Sequence, residues 1–190
     1  KLLDIDFNDK TIFLGGDHSI TYASFKSFMK SIPGKNALVI FDAHPDVFQE
    51  FDEPRHGDYL KFLIDEGYEV EDVGTFSTES VDYPDFAHQV AQKVARGEGW
   101  RGVIVDGAGV GSAMVANKVP GIRAASCQDV YTARNSRQHN DANILTLGSR
   151  VLGVDVAKEI LLVWLQTDFG GGRHKRRVDK IIEIEKRYCK

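Results

Sequence analysis

The chain has 190 residues, 42% of them hydrophobic and 27% charged, an ordinary globular composition with enough length for one substantial core. A formal charge of −4 supplies no field for nucleic acid or an anionic membrane, so a phosphate ligand would depend on a local basic cluster. No apolar run nears the ~18 residues of a membrane span, and no signal-peptide pattern opens the chain.

Six short, β-branched apolar runs predict strands at 11–16, 37–43, 68–74, 102–109, 122–127 and 144–149. Helical spacing of apolar residues falls between and after them, at 20–31, 57–66, 84–97, 111–118, 129–138 and 151–166. The closing "RVDKIIEIEKRYCK" puts Val178, Ile181, Ile182 and Ile184 near one helical face. Strand–helix alternation of this kind predicts a three-layer, Rossmann-like α/β sandwich. Its mostly parallel sheet would have about six strands and helices on both faces, forming one domain over 1–190. Cys127 and Cys189 form no disulfide framework and point to a reducing, cytoplasmic setting.

Ligands of such sheets sit at the carboxyl ends of strands. "GGDH" (15–18), "DAHPD" (42–46) and "DGAGVG" (106–111) all fall there. In the last of these, Gly107, Gly109 and Gly111 flank Val110 and let backbone amides approach an anion or oxyanion. A dinucleotide site is the competing reading. Asp106 would repel a pyrophosphate, however, and the turn follows the fourth predicted strand rather than the first.

Four ordered motifs carry a stronger signal: "YEVEDVGTFSTESVDYPDFA", "GAGVGSAMVANKVPGIRAA", "SRQHNDANILTLGSR" and "GGRHKRRV". With them, residues 68–190 resemble the ribose-5-phosphate isomerase B / galactose-6-phosphate isomerase family. The resemblance implies aldose–ketose isomerisation of a sugar phosphate through an enediolate, without a cofactor. Such chemistry needs a base, an oxyanion site, an acid/base for ring opening and a phosphate anchor. Asp106 stands where the family usually has a cysteine base, and a carboxylate can do that work; the other reading of Asp106 is a cap for the helix at 111–118. Ala108 replaces a family threonine, leaving the oxyanion to the amides of Gly109 to Gly111. His139 matches the ring-opening histidine and Asn140 its neighbour. Tyr83 matches a tyrosine beside the sugar, while Arg173 and Arg177 match the phosphate-binding arginines. The i, i+4 spacing of these arginines puts them on one helical face. The resemblance also implies a homodimer, whose sites draw on two subunits, and partners that include neither nucleic acid nor membrane.

Residues 11–67 resemble a different family, the arginase/agmatinase ureohydrolases, through "GGDHSI" and "DAHPD". The chain thus reads as two segments, 1–67 and 68–190, joined in a natural fusion or an engineered chimera. In ureohydrolases, ligands of the type of His18, Asp42, His44 and Asp46 share two manganese ions with a later Asp-x-Asp pair. No such pair follows here, so no metal is expected, and these four residues would hold at most one ion. "GGDH" also coincides with the isomerases' first-strand ending, where Asp17 would contact sugar and His18 phosphate; His44 is the alternative for that place. Two other functions stand beside the isomerase: a scaffold that folds without catalysing, and a residual metal-binding ureohydrolase-like protein.

Overall fold

A computed structural model describes residues 11–15, 38–40, 68–74 and 81–188. The helices predicted at 20–31 and 57–66, and with them Asp17, His18, Asp42, His44 and Asp46, lie outside the described residues. Strands β1 (Thr11–Gly15), β2 (Leu38–Ile40), β3 (Glu69–Glu71), β4 (Arg101–Asp106), β5 (Ala124–Ser126) and β6 (Ile144–Gly148) form one sheet. Its order is β2-β1-β4-β6-β5, with β3 pairing β1, and every pairing is parallel. Helices α1 (Tyr83–Ala95), α2 (Val110–Ala116), α3 (Val130–Asn140), α4 (Val154–Gln166) and α5 (Gly172–Tyr188) alternate with the later strands. The α/β fold with a parallel sheet agrees with the expectation.

β4 and β6 are buried along their whole length, as strands covered on both faces must be, and their middles are apolar on both faces apart from Thr146. Helix α1 packs on α2, and α3 packs on α4 and α5. The α1 residues Ala87, Val90, Ala91 and Val94 repeat at helical spacing and are buried. From α4 come Ile160, Leu161 and Trp164, which lie at the centre of the core with Ile104, Ile144 and Leu145.

Strands β4 and β5 stop short of their predicted bounds because side chains take over their backbone groups. Asn143 Oδ1 accepts from Arg123 N at 2.8 Å and Asn117 Oδ1 from Ala124 N at 2.8 Å, so β5 begins only at Ala124. β4 stops at Asp106, whose own carboxylate captures the next amides. At the other end of the sheet, β1 pairs with β3 along Thr11–Phe13, with β2 along Phe13–Gly15 and with β4 at Ile12. A strand has two edges, so three partners must divide them.

Just past β3, Asp72 accepts a hydrogen bond from Gly74 N at 2.8 Å. Burial pushes its carboxyl up to about 7, the Gly74 amide opposes the shift, and the charge of Glu71 adds to it. Between the ordinary carboxylate range and pH 7 the folded state therefore binds more protons at Asp72 than the unfolded state, and stability falls as pH rises. Asp72→Asn keeps the acceptor and removes the charge. It is expected to raise the thermal midpoint by several degrees at pH 8, a gain that fades toward pH 4; unfolding scans at the two pH values check it.

Candidate active site

The turn after β4 is built around Asp106, which is 6% exposed. Oδ1 accepts from Ala108 N at 2.8 Å and from Gly109 N, and Oδ2 accepts from Ser112 N at 3.2 Å and from the Ser112 hydroxyl. Two donors on each oxygen fill the lone-pair directions of a carboxylate. The expected base thus faces inward as the anchor of its own turn, and the amides of Ala108 and Gly109 point at it rather than into a cleft.

The glycines also do more than admit a ligand. Gly109 has φ +75°, and a Cβ there would lie 2.9 Å from the backbone carbon of Leu147. A Cβ on Gly111 would lie 2.6 Å from the Tyr83 hydroxyl. The first glycine lets the turn rest on β6, and the second seats the Tyr83 ring. Tyr83, at the start of α1, therefore meets the glycine turn. Thr146 Oγ1 donates to the Gly109 carbonyl, and Gln128 Nε2 donates to the Ala108 carbonyl at 3.0 Å. Val110 is exposed.

A second cluster forms where α5 begins against the end of α3. Gly170 N donates to the Gln138 carbonyl at 2.9 Å, which docks the start of α5 there. The His139 and His174 rings stack at 3.9 Å with 6° between their planes. Asn135 Nδ2 lies 2.9 Å from His139 Nδ1, and Asn140 Nδ2 is 3.4 Å from Asn135 Oδ1. Burial, then His139, Arg173 and Arg177, hold the His174 imidazole below its ordinary value. Arg173, Arg177 and Asn140 are exposed.

Arg101 and Arg137 support this end from beneath. Arg101 donates to the carbonyls of Trp164 at 2.8 Å and Leu165 at 2.7 Å, at the last turn of α4. Arg137 donates to Asp141 Oδ1 at 2.8 Å. Burial lowers both guanidinium groups from their ordinary value, Arg101 to about 9.

The two clusters do not share one pocket within a chain. Asp106 closes the carboxyl end of β4, whereas His139 lies at the end of α3 that leads into the start of β6. Helix α3 runs back along the sheet, and its 11 residues span about 16 Å. Asp106, Tyr83 and the glycines gather at one end of the sheet, and His139, Asn140, Arg173 and Arg177 at the other. Asn135, His174 and Ser112 were missed. The i, i+4 spacing of Asn135 and His139 was the available signal.

Among the described residues, no group of three or more His, Cys, Asp or Glu side chains is placed to hold a metal ion. No helix among them is long and apolar enough to cross a membrane.

A parallel α/β sheet with a glycine turn at a strand end, and a histidine–arginine cluster beside its last helix, defines the class that the comparisons then specify. The profile of the Ribose/Galactose Isomerase family matches residues 57–181, and the chain belongs to this family. It is 50% identical over 125 residues to the ribose-5-phosphate isomerase B of Escherichia coli, covering 66% of this chain and 84% of that one. To the D-erythrulose-4-phosphate isomerase of Pectobacterium atrosepticum it is 42% identical over 121 residues, covering 63% of this chain and 80% of that one. The structure of Clostridium thermocellum ribose-5-phosphate isomerase B superposes with a TM-score of 0.73 at 50% identity, covering 80% of this chain and 99% of that chain. The profile of the Arginase family matches residues 5–97.

Proposed function

We propose that this chain is a sugar-phosphate aldose–ketose isomerase of the ribose 5-phosphate/ribulose 5-phosphate type, acting through an enediolate. The observation that carries the reading is the family match joined to the two clusters, which together supply the parts the reaction needs. A base takes the C2 proton, the enediolate oxygens are stabilised, and a proton is delivered to C1. Tyr83 and the turn from Gly107 through Val110 to Gly111 line the sugar. Asp106 anchors that turn. It takes the C2 proton only once the Ser112 hydroxyl, the one rotatable donor among its four, swings off Oδ2. His139 opens the sugar ring, Asn140 holds the sugar, and Arg173 and Arg177 grip the phosphate, with Asp17 and His18 as the N-terminal contribution.

In this reading the working unit is a homodimer, each site combining the glycine turn of one copy with the His139 cluster of the other. Two exposed apolar stripes support it: Val110 and Met114 on α2, and Ile181, Ile184 and Tyr188 on α5. Residues 1–67 form a ureohydrolase-like segment fused to the isomerase segment within one α/β domain of about six strands. The Arginase match over residues 5–97 supports a ureohydrolase-like N-terminal segment.

The test is turnover of pentose 5-phosphates, tetrose 4-phosphates and hexose 6-phosphates, each with and without added Mn²⁺. Metal-independent interconversion of an aldose and its ketose is expected. Binding without turnover supports the scaffold, and amidine hydrolysis that requires Mn²⁺ supports the ureohydrolase. Arg173→Ala with Arg177→Ala is expected to weaken sugar-phosphate binding by about 3–6 kcal/mol, at roughly 1.5–3 kcal/mol for each charge-assisted bond. Calorimetry showing unchanged affinity would move the phosphate elsewhere.

A further inference from the structure

The side chains around His139 decide which of its ring nitrogens carries the proton. Asn135 lies one helical turn before it on α3, 2.9 Å from Nδ1. The Asn140 side-chain nitrogen, which can only donate, lies 3.4 Å from Asn135 Oδ1 and 3.4 Å from the Asn135 backbone carbonyl, one hydrogen for each. The oxygen of the Asn135 amide therefore serves Asn140, and its nitrogen serves His139. An amide nitrogen only donates, so Nδ1 must accept and be bare of a proton. A neutral imidazole then carries its single proton on Nε2, because the hydrogen bond at one nitrogen sets the state of the other. Protonating both nitrogens would set donor against donor. The His174 ring, stacked at 3.9 Å and 6°, covers one face of His139 and resists a flip that would exchange the nitrogens. Arg173 and Arg177, on the same helix as His174, are the charged groups that act on the His174 ring.

We propose that Asn135 is a positioning residue that fixes His139 in the neutral form protonated on Nε2, so that a closed sugar ring meets a proton donor. The proposal rests on the isomerase reading above and deepens it. In ring opening, Nε2 gives its proton to the ring oxygen as the bond from C1 to that oxygen breaks. The C1 hydroxyl loses its proton through water to Nε2, and the C1 carbonyl forms. The histidine ends in the state in which it began.

The experiment compares wild type with Asn135→Asp and Asn135→Ala. A carboxylate can only accept, so the Asp variant moves the proton of His139 to Nδ1 and presents a lone pair at Nε2. Nitrogen-15 spectra of the ring at pH 8 should show a protonated Nε2 in wild type and a protonated Nδ1 in Asn135→Asp. Turnover of ribose 5-phosphate, which is mostly a closed ring, should fall at least about tenfold in the Asp variant, the lower scale of a lost general acid, and less in the Ala variant. Deuterium exchange at C1 of ribulose 5-phosphate, which has no free C5 hydroxyl to close a furanose ring, should stay within about twofold, since no ring is opened.

A wild-type His139 protonated on Nδ1 overturns the proposal, as does parallel loss of both activities or loss of neither. If wild type turns over neither sugar while its ring carries the proton on Nε2, the isomerase reading falls and the catalytic use of this tautomer with it. The tautomer itself then stands as a separate result.

Discussion

Asp106→Asn is expected to cost at least about 10²-fold in isomerisation, the scale of one general base, and to lower the thermal midpoint at the same time. The two losses have different causes. Asn offers one oxygen, which can still accept from Ala108 N and Gly109 N. The new amide nitrogen then faces Ser112, whose hydroxyl can rotate to accept but whose backbone N–H cannot. One buried donor is left unpaired, at about 1–3 kcal/mol. A carboxylate acting only as a base would lose activity with stability intact, and one acting only as an anchor would lose both in proportion. Rates, binding of a non-reacting sugar phosphate and unfolding curves on the same preparations separate these cases. Binding should survive, because Arg173 and Arg177 belong to the other cluster. A fully active Asn variant would remove Asp106 from the chemistry.

Gly109→Ala should be the most damaging of the glycine substitutions in stability. Its φ of +75° is one that a side chain adopts only under strain, and its Cβ would sit 2.9 Å from the backbone carbon of Leu147, an atom of central strand β6 that cannot step aside. Backbone strain and overpacking each cost roughly 1–3 kcal/mol, so a loss of about 3 kcal/mol and a fall in midpoint of about 10 °C are expected. The displaced turn should lose activity as well. Gly153, with open space at its Cβ position and φ −68°, is the control; Gly153→Ala should change stability by less than about 1 kcal/mol. Equal effects at the two positions would contradict the packing account.

How much of this was legible in the sequence differs along the chain. From residue 81 onward the alternation of strand and helix was plain, because β4 and β6 are covered on both faces and carry the short apolar runs Val103–Val105 and Ile144–Leu147, the latter broken only by Thr146. The four ordered motifs also marked the residues that surround the glycine turn and the α3–α5 junction. Asp106 carried two readings, a base and a cap for the helix that follows, and its side chain was not read as anchoring its own turn, although an Asp before a turn often bonds the amides two and three residues on. Nor was the separation of His139 from Asp106 read, although His139 ends a helix leading into a strand and Asp106 ends a strand. Glycine was read as room for a ligand. At Gly109 and Gly111 the room is taken by β6 and Tyr83. The N-terminal histidines, on which the choice between phosphate and metal turned, lie outside the described residues.

In the proposed homodimer, each site combines the glycine turn of one copy with the His139 cluster of the other. This arrangement is tested most directly by mixing two impaired variants, Asp106→Asn and His139→Asn, under conditions that exchange subunits, and measuring ribose 5-phosphate turnover. Half of a randomised mixture pairs unlike copies, and each such pair holds one intact site and one doubly altered site. The account predicts that the mixture recovers about a quarter of the wild-type rate. A mixture no faster than the average of the two variants alone would contradict it.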